Sequence, residues 1–491
     1  MRLNELFRDI DCDIYGDAET NIIDLKYDSR KVCKGDLFFC ISGIAEDGHK
    51  YAADAVRAGA AALAVTELQT EIDIPQVVVK DDRKAMAMAA CRFFDYPARR
   101  MKMIGVTGTN GKTTITYMLK AIAEQAGIKV GIIGTIHNMI GNDVIHTERT
   151  TPESVDLQRL LKEMADAKCD MAVMEVSSHS LVLRRVFGIE FDIGIFTNLT
   201  QDHMDFHETW DNYIAAKSML FEQSEVSIIN IDDDSAANMM GAAKREVIKY
   251  SVLQPIQYAA KNIEITHEKT KFSVEVDGRT LHIEVGIPGY FTVYNALGAI
   301  VASSAAGIDI YCIEQGLKSM KPVDGRFEPL DTHGRDFSII LDYAHTPDSL
   351  KNALDTVKNF APARVVTIFG CGGNRDTTKR AIMGKIAGER SDETIITSDN
   401  PRFEEPSAII AQIEEGIKTT DGKYRCIENR REAIEYALRN AKKDDVILLA
   451  GKGHEDYQEI KGVKHNFDEK VVVEEILSRL APAKNKLSKE V

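Results

Sequence analysis

Short apolar runs alternate along the chain with segments whose apolar residues recur every three or four positions, the pattern of strands feeding helices. Over the first part it predicts strands at 36–41, 61–65 and 76–79, with helices at 51–58 and 83–94. Pro97, followed by Arg99 and Arg100, marks a boundary, and 103–106 then reads as a buried strand. Further strand-like runs at 130–133, 170–174, 191–196 and 226–229, with helical stretches between most of them, predict a mainly parallel, doubly wound sheet. Around 271–285 the period changes to two. Phe272, Val274 and Val276 alternate with polar residues, Asp277-Gly278 supplies a turn, and Leu281, Ile283 and Val285 follow. That pattern is an antiparallel hairpin appended to the core. From Pro329 a second doubly wound sheet is expected, with strands at 338–341, 365–369, 394–397 and 446–449. The polar tail after Pro482 reads as frayed. The expectation is an α/β chain of three domains, 1–98, 99–328 and 329–491.

Length supports that division, since 491 residues exceed what one hydrophobic core organises. A net charge of −15 argues against general nucleic-acid binding, but placed cations and backbone amides can still hold a small anion. Eight scattered cysteines without a CxxC pair read as reduced thiols. No signal-peptide run follows Met1, and no stretch approaches the length of a membrane span. A soluble cytoplasmic protein, neither on a membrane nor on nucleic acid, is expected.

The strongest chemical signal is GTNGKTT at 108–114, directly after the strand at 103–106 and before a helix. Gly108, Thr109, Asn110 and Gly111 can wrap their amides around phosphate oxygens at a helix N-terminus. Lys112 would reach the outer phosphates of ATP, and Thr113, followed by Thr114, would offer a hydroxyl to Mg²⁺. The match departs from the strict Walker spacing, because Val106 stands where the first glycine belongs. Such a loop needs a second acidic group for the metal, and Glu175 closes the apolar run at 171–174. Asp202, His203, Asp205 and His207 crowd one loop, whose spacing fits a metal site or simply a polar turn.

GTNGKTT, EVSSH (175–179), TNLTQDHMDFH (197–207), YIAAK (213–217), DYAHTP (342–347), GGNRD (372–376), DNPR (399–402) and GKGHE (451–455) occur here in order. Together they resemble the Mur ligase family, and within it the members that add the third residue of the peptidoglycan stem peptide. The resemblance spans nearly the whole chain. It implies an N-terminal domain for the UDP end, a central ATPase and a C-terminal Rossmann-like domain for the incoming amino acid. ATP would phosphorylate the D-glutamate carboxylate of UDP-N-acetylmuramoyl-L-alanyl-D-glutamate, and the amine of the new residue would displace phosphate. The resemblance puts Ser29, Thr150, Thr151, Ser177 and Arg185 at the UDP-muramoyl dipeptide, and Asn295, Arg326 and Asp342 around the nucleotide. Similar enzymes often carry glutamine at the place of Leu183. It selects only His203 from its crowded loop, as a Mg²⁺-site residue, and it implies that Lys217 carries a CO2-derived carbamate. A monomer is expected.

The amino acid is expected to be meso-diaminopimelate. It differs from lysine by a carboxylate beside the far ammonium, and a guanidinium fork matches a carboxylate through two parallel bonds. Arg402, closing Asp399-Asn400-Pro401-Arg402, is the deciding position, because similar lysine-adding enzymes usually lack arginine there. Arg375 is a second candidate cation, and Glu455 with the Gly451 carbonyl would take the ammonium. The alternatives are a lysine-adding relative, a polyglutamate ligase, against which DNPR and GKGHE argue, and a P-loop ATPase that drives shape change in a partner.

Overall fold

The computed structural model describes residues 1–43, 46–147 and 149–480; the tail after Pro482 lies outside them. Three parallel-type sheets follow one another along the chain. The first has five strands in the order Cys12–Tyr15, Gln76–Val79, Ala62–Val65, Leu37–Phe39, Leu25–Lys26, all parallel except the first. Leu37, Phe39, Ala62, Ala64, Val77 and Val79 pack with Leu3 and Leu6 into one core. The expected strand at 36–41 is shorter because Asp36 turns its carboxylate back to the Cys33 amide at 2.8 Å. The expected helix at 51–58 starts at Ala52, after a 3₁₀ turn, Gly48–Tyr51, capped by Asp47.

The second sheet has nine strands, ordered Tyr258–Ala259, Glu246–Ser251, Ser224–Asn230, Phe191–Phe196, Lys102–Thr107, Met171–Glu175, Val130–Ile133, Asn138–Ile140, Asp143–Ile145. Seven neighbours from 258–259 to 130–133 run parallel, and the last two strands fold back antiparallel. Lys102–Thr107 is central, so the loop that follows it opens at the carboxyl edge, flanked by the ends of Phe191–Phe196 and Met171–Glu175. Open α/β sheets bind ligands in that position. The helix Lys112–Gln125 packs beneath Tyr290–Ala305 and Ile310–Ser319 on one face. The hairpin expected at 271–285 is present as Thr270–Val276 with Arg279–Val285, and Lys261–Ile265 adds a third strand. That strand escapes the apolar pattern because three of its five side chains are exposed lysine, asparagine and glutamate.

The third sheet, ordered Glu328–Leu330, Ser338–Asp342, Val446–Ala450, Val365–Phe369, Glu393–Ile396, Tyr424–Cys426, is parallel apart from its first strand. A hairpin, Tyr457–Ile460 with Val463–Asn466, lies over its carboxyl edge through a bridge from Ile460 to Arg402. Among the described residues no helix is long and apolar enough to cross a membrane.

One buried ion pair anchors this third unit. Arg430 and Glu469 are both fully buried, with Nε to Oε1 at 2.8 Å, and Arg430 also donates to the Ala450 carbonyl at 2.9 Å. Removing one partner of such a pair strands the other in a low-dielectric interior. Glu469→Gln is therefore expected to cost about 3–5 kcal/mol, read as a lowered urea midpoint for the transition that includes the C-terminal unit; an unchanged midpoint would refute the assignment.

Candidate functional site

The phosphate loop is built by two glycines that no other residue could replace. Gly108 and Gly111 have φ of +146° and +90°, and a Cβ on them would lie 1.8 Å from Thr197 Oγ1 and 2.3 Å from Asn295 Oδ1. Gly111 caps the helix Lys112–Gln125, leaving its first amides directed at the loop. The loop is braced from the neighbouring strand end: Asn198 accepts from the Thr109 and Asn110 amides at 2.8 and 3.0 Å, and Thr197 donates to the Asn110 carbonyl. Lys112 curls back on the carbonyls of Gly108 and Thr109, both at 2.8 Å. Burial pushes its ammonium below the ordinary lysine value, against the pull of Glu175 and Asp202.

Glu175 closes its strand and is 1% exposed. Its carboxylate accepts from Thr113 Oγ1 at 2.9 Å, from the Thr135 amide at 2.8 Å and from Thr135 Oγ1 at 2.9 Å. Thr135 also meets Thr150 at 3.1 Å, and Thr151 donates to the Glu175 carbonyl at 2.8 Å. Ser177 bonds Thr151, and Arg185 donates to the Thr151 carbonyl at 3.1 Å while pairing with Glu153 at 2.7 Å. Thr150, Thr151, Ser177 and Arg185 are thus brought together against Glu175.

Beside the loop, His179, His203, His207, Phe206 and Tyr213 form a ring cluster with centroids 4.1–6.5 Å apart. Burial holds the imidazoles of His179 and His207 down at about 4 and that of His203 at about 3, so each keeps a lone pair at neutral pH. His207 uses Nε2 on Ser178, at 2.8 Å, and Asp205 has no part in the cluster; His203 alone of that loop borders the cavity with Asp202. Lys217 is 2% exposed, with Nζ 2.8 Å from the Gly108 carbonyl and over the Tyr213 ring. Burial, helped by the charge of Lys112, drives its ammonium well below the ordinary value.

The third unit closes onto this edge. Arg326 Nη2 donates to Thr113 Oγ1 at 3.1 Å, and Asn110 donates to Asp348 at 3.0 Å. Asp202 faces His345 at 3.8 Å and Lys379 at 3.6 Å, and Gln201 donates to Thr378. Asp342 accepts from the Phe327 amide at 2.7 Å; burial raises its carboxyl, with Arg326 opposing. The phosphate loop, Thr150, Glu175, Ser177, His203, Lys217, Asn295, Arg326 and Asp342 line one cavity of about 490 Å³. Ser29 does not line it; it opens a 3₁₀ turn capped by Asp28 in the first unit.

A second cluster lies beyond Tyr343, whose hydroxyl is 3.5 Å from Glu455 Oε1. Arg402 donates through Nε to Glu459 at 3.1 Å and through Nη1 to the Gly373 carbonyl at 2.9 Å. Among the described residues no acceptor meets its Nη2. Asn400 donates to Glu455 Oε2 at 2.8 Å, Pro401 carries the turn, and the Asp399 carboxylate packs against Gly451. Arg375 is exposed and, among the described residues, hydrogen-bonds only the neighbouring Asn374 carbonyl. Thr135, Asn198, Lys379, Lys452 and Glu459 were not singled out by the sequence. Lys452 sits inside GKGHE and Asn198 inside TNLTQDHMDFH, and nothing in the local pattern marks the others.

Mg²⁺ would meet a hard-oxygen set here, the Thr113 hydroxyl and Glu175 carboxylate, with the His203 imidazole neutral beside them. Lys217 as an ammonium has only donors and does not fit as a ligand.

Three family models match in sequence: the Mur ligase family catalytic domain over 21–104, the Mur ligase middle domain over 106–303 and the Mur ligase glutamate ligase domain over 325–453. A protein of Clostridium acetobutylicum named UDP-N-acetylmuramoyl-L-alanyl-D-glutamate--2,6-diaminopimelate ligase 1 is 48% identical, covering 98% of this chain and 100% of its own. One of Caldanaerobacter subterraneus subsp. tengcongensis, named as the same ligase, is 47% identical over 97% and 99%. A solved structure of a UDP-N-acetylmuramoyl-L-alanyl-D-glutamate--2,6-diaminopimelate ligase is 30% identical, with a TM-score of 0.69 over 97% of this chain and 99% of that one. MurF from Acinetobacter baumannii, at 18% identity and a TM-score of 0.68, shares the fold. The chain belongs to the Mur ligase family.

Proposed function

We propose that this protein is the ATP-dependent ligase that joins meso-2,6-diaminopimelate to the D-glutamate of UDP-N-acetylmuramoyl-L-alanyl-D-glutamate in peptidoglycan synthesis. The observation that carries the reading is the full-length kinship with ligases so named, joined to an arginine at position 402. A cytoplasmic site of action follows from the UDP-linked and ATP substrates.

In this reading the loop amides of 108–114 hold the phosphates and Lys112 leaves its carbonyl partners to meet the transferring phosphoryl group. Thr113 and Glu175, with His203 on the same cavity wall, would hold Mg²⁺, which would supply charge neutralisation on the phosphates. Arg326, already against Thr113, adds a cation at the boundary with the closing unit, and Asn295 and Asp342 border the nucleotide. Thr150, Thr151, Ser177 and Arg185 position the muramoyl dipeptide, with its UDP end at Ser29. The D-glutamate carboxylate attacks the γ-phosphorus and ADP leaves; the diaminopimelate amine then attacks the acyl phosphate, and phosphate departs. Domain boundaries at 98/99 and 328/329 fit this division of labour. Phosphate release with the UDP-dipeptide, with and without diaminopimelate, tests the whole reading. Release that ignores the amino acid would instead indicate an ATPase.

Lys217 enters as a carbamate. Burial favours its neutral amine, the form that adds to CO2, and the adduct loses one proton to leave an anion with two acceptor oxygens. Lys217→Ala should lose most activity and regain part of it with added acetate or formate; full activity without them would exclude the carbamate.

Lys112→Ala should lower kcat by about 10²–10³-fold, with a smaller effect on ATP affinity, because the cation acts on charge that develops in the transition state. Steady-state kinetics decide it, and wild-type turnover would remove Lys112 from the mechanism.

Arg402→Ala should cost about 2–5 kcal/mol in kcat/KM toward diaminopimelate and little toward lysine. Equal losses for the two amino acids would show that Arg402 does not read the far carboxylate.

A further inference from the structure

The residues around the far end of the amino-acid site come as opposite charges already paired. Lys452 is fully buried, between Gly451 and Gly453 at φ +114° and +52°, a backbone path that turns its side chain inward. Its ammonium meets Glu455 Oε2 at 3.2 Å and Asn400 Oδ1 at 3.3 Å. The same Asn400 oxygen accepts from the Glu459 amide at 2.9 Å while its NH2 donates to Glu455 Oε2 at 2.8 Å. Glu455 therefore has one oxygen saturated and directed, and offers the other, which meets only the Tyr343 hydroxyl at 3.5 Å among the described residues. On the opposite side Arg402 has Nε on Glu459 Oε2 at 3.1 Å and leaves Nη2 without an acceptor among the described residues. Asp399, beneath both, is answered by Arg430 at 3.9 Å.

From this arrangement we infer that Lys452 and Glu459 are specificity-determining positioning residues, counter-charges that make the far pocket accept only an end carrying both an ammonium and a carboxylate. The inference rests on the diaminopimelate reading above and deepens it. A lysine side chain would bring a lone ammonium to Glu455, within reach of the buried Lys452 cation and with nothing for Arg402. An end with only a carboxylate would meet Arg402 beside Glu459 and leave Glu455 unmatched. A zwitterionic end satisfies both open valences and adds no net charge. Rejection is thus built from unpaired and like charges as well as from the arginine fork. Lys452 cannot swing out to relieve it, because its whole side chain is enclosed.

The test compares kcat/KM of the full-length enzyme for meso-diaminopimelate, L-lysine and L-2-aminopimelate, which has the far carboxylate without the ammonium. Wild type should use both singly charged amino acids at least about a hundredfold less well than diaminopimelate. Lys452→Gln keeps a hydrogen-bond donor and removes the charge; its preference for diaminopimelate over lysine should fall about tenfold or more, whereas Lys452→Arg should keep it. A purely structural role would lower kcat/KM for every amino acid equally and leave the ratio intact, which overturns the inference. Aminopimelate used as well as diaminopimelate by wild type overturns it too, whether or not Lys452→Gln folds. Wild type with no preference for diaminopimelate over lysine removes the underlying reading along with it.

Discussion

A carboxylate with almost no exposure must have its lone pairs met from within the protein, and Glu175 meets that demand with groups from two separate chain segments while a third bonds its backbone carbonyl. Thr113 comes from the phosphate-loop helix, Thr135 from the turn after Val130–Ile133, and Thr151, through the backbone oxygen, from the segment before helix Ser154–Asp166. Satisfying one buried acid thereby fixes where the phosphate loop stands relative to the segment assigned to the muramoyl dipeptide. A Cβ at position 134 would lie 2.6 Å from Glu175 Oε1, so even the approach of the intervening turn is set by this group. The phosphate loop and the segment around Thr151 are held in register by the same residue, one through its carboxylate and the other through its backbone oxygen.

Closure of the third unit uses that register. Arg326 reaches the hydroxyl of Thr113 that Glu175 accepts from, and Asp348 reaches Asn110 in the same loop. Asp202 shows how the contact is tuned: burial would raise its carboxyl, yet its neighbours, among them His345 and Lys379 of the third unit, hold it well below the usual carboxylate range. Docking of that unit and the ionisation of Asp202 therefore favour one another. Separating the units would strand Lys379, which is 6% exposed, away from its counter-charge. The catalytic cavity is a property of the docked arrangement and belongs to no single sheet.

Much of this was legible in the sequence because local rules dictate it. The period change at 271–285, the glycines of the phosphate loop and an acid closing a buried strand each follow from backbone geometry within a few residues. What stayed hidden depends on tertiary approach. The exposed edge strands Lys261–Ile265 and Cys12–Tyr15 are polar on the faces that water sees. Thr135 is an ordinary threonine until the fold sets it against Glu175. Arg375 stood beside glycines in a promising motif, yet its side chain turns to solvent, because the Gly372–Gly373 segment is closed by Arg402 and Arg380 instead. Ligand-bearing motifs announce a loop, while the direction of each side chain is settled by what packs beneath it.

The fold by itself does not separate one member of this family from another. A diaminopimelate-adding relative at 30% identity and MurF at 18% superpose on this chain almost equally well, with TM-scores of 0.69 and 0.68. A change of amino acid must then be written in a few side chains on a shared scaffold. The scaffold can afford this because the hairpin Tyr457–Ile460 with Val463–Asn466 and the turn at 399–402 lie outside the sheet, at its carboxyl edge. They stand on the six-stranded sheet, apart from the nine-stranded sheet that carries the phosphate loop. Arg430, fully buried between Glu469, Ala450 and Asp399, ties that edge back to the core.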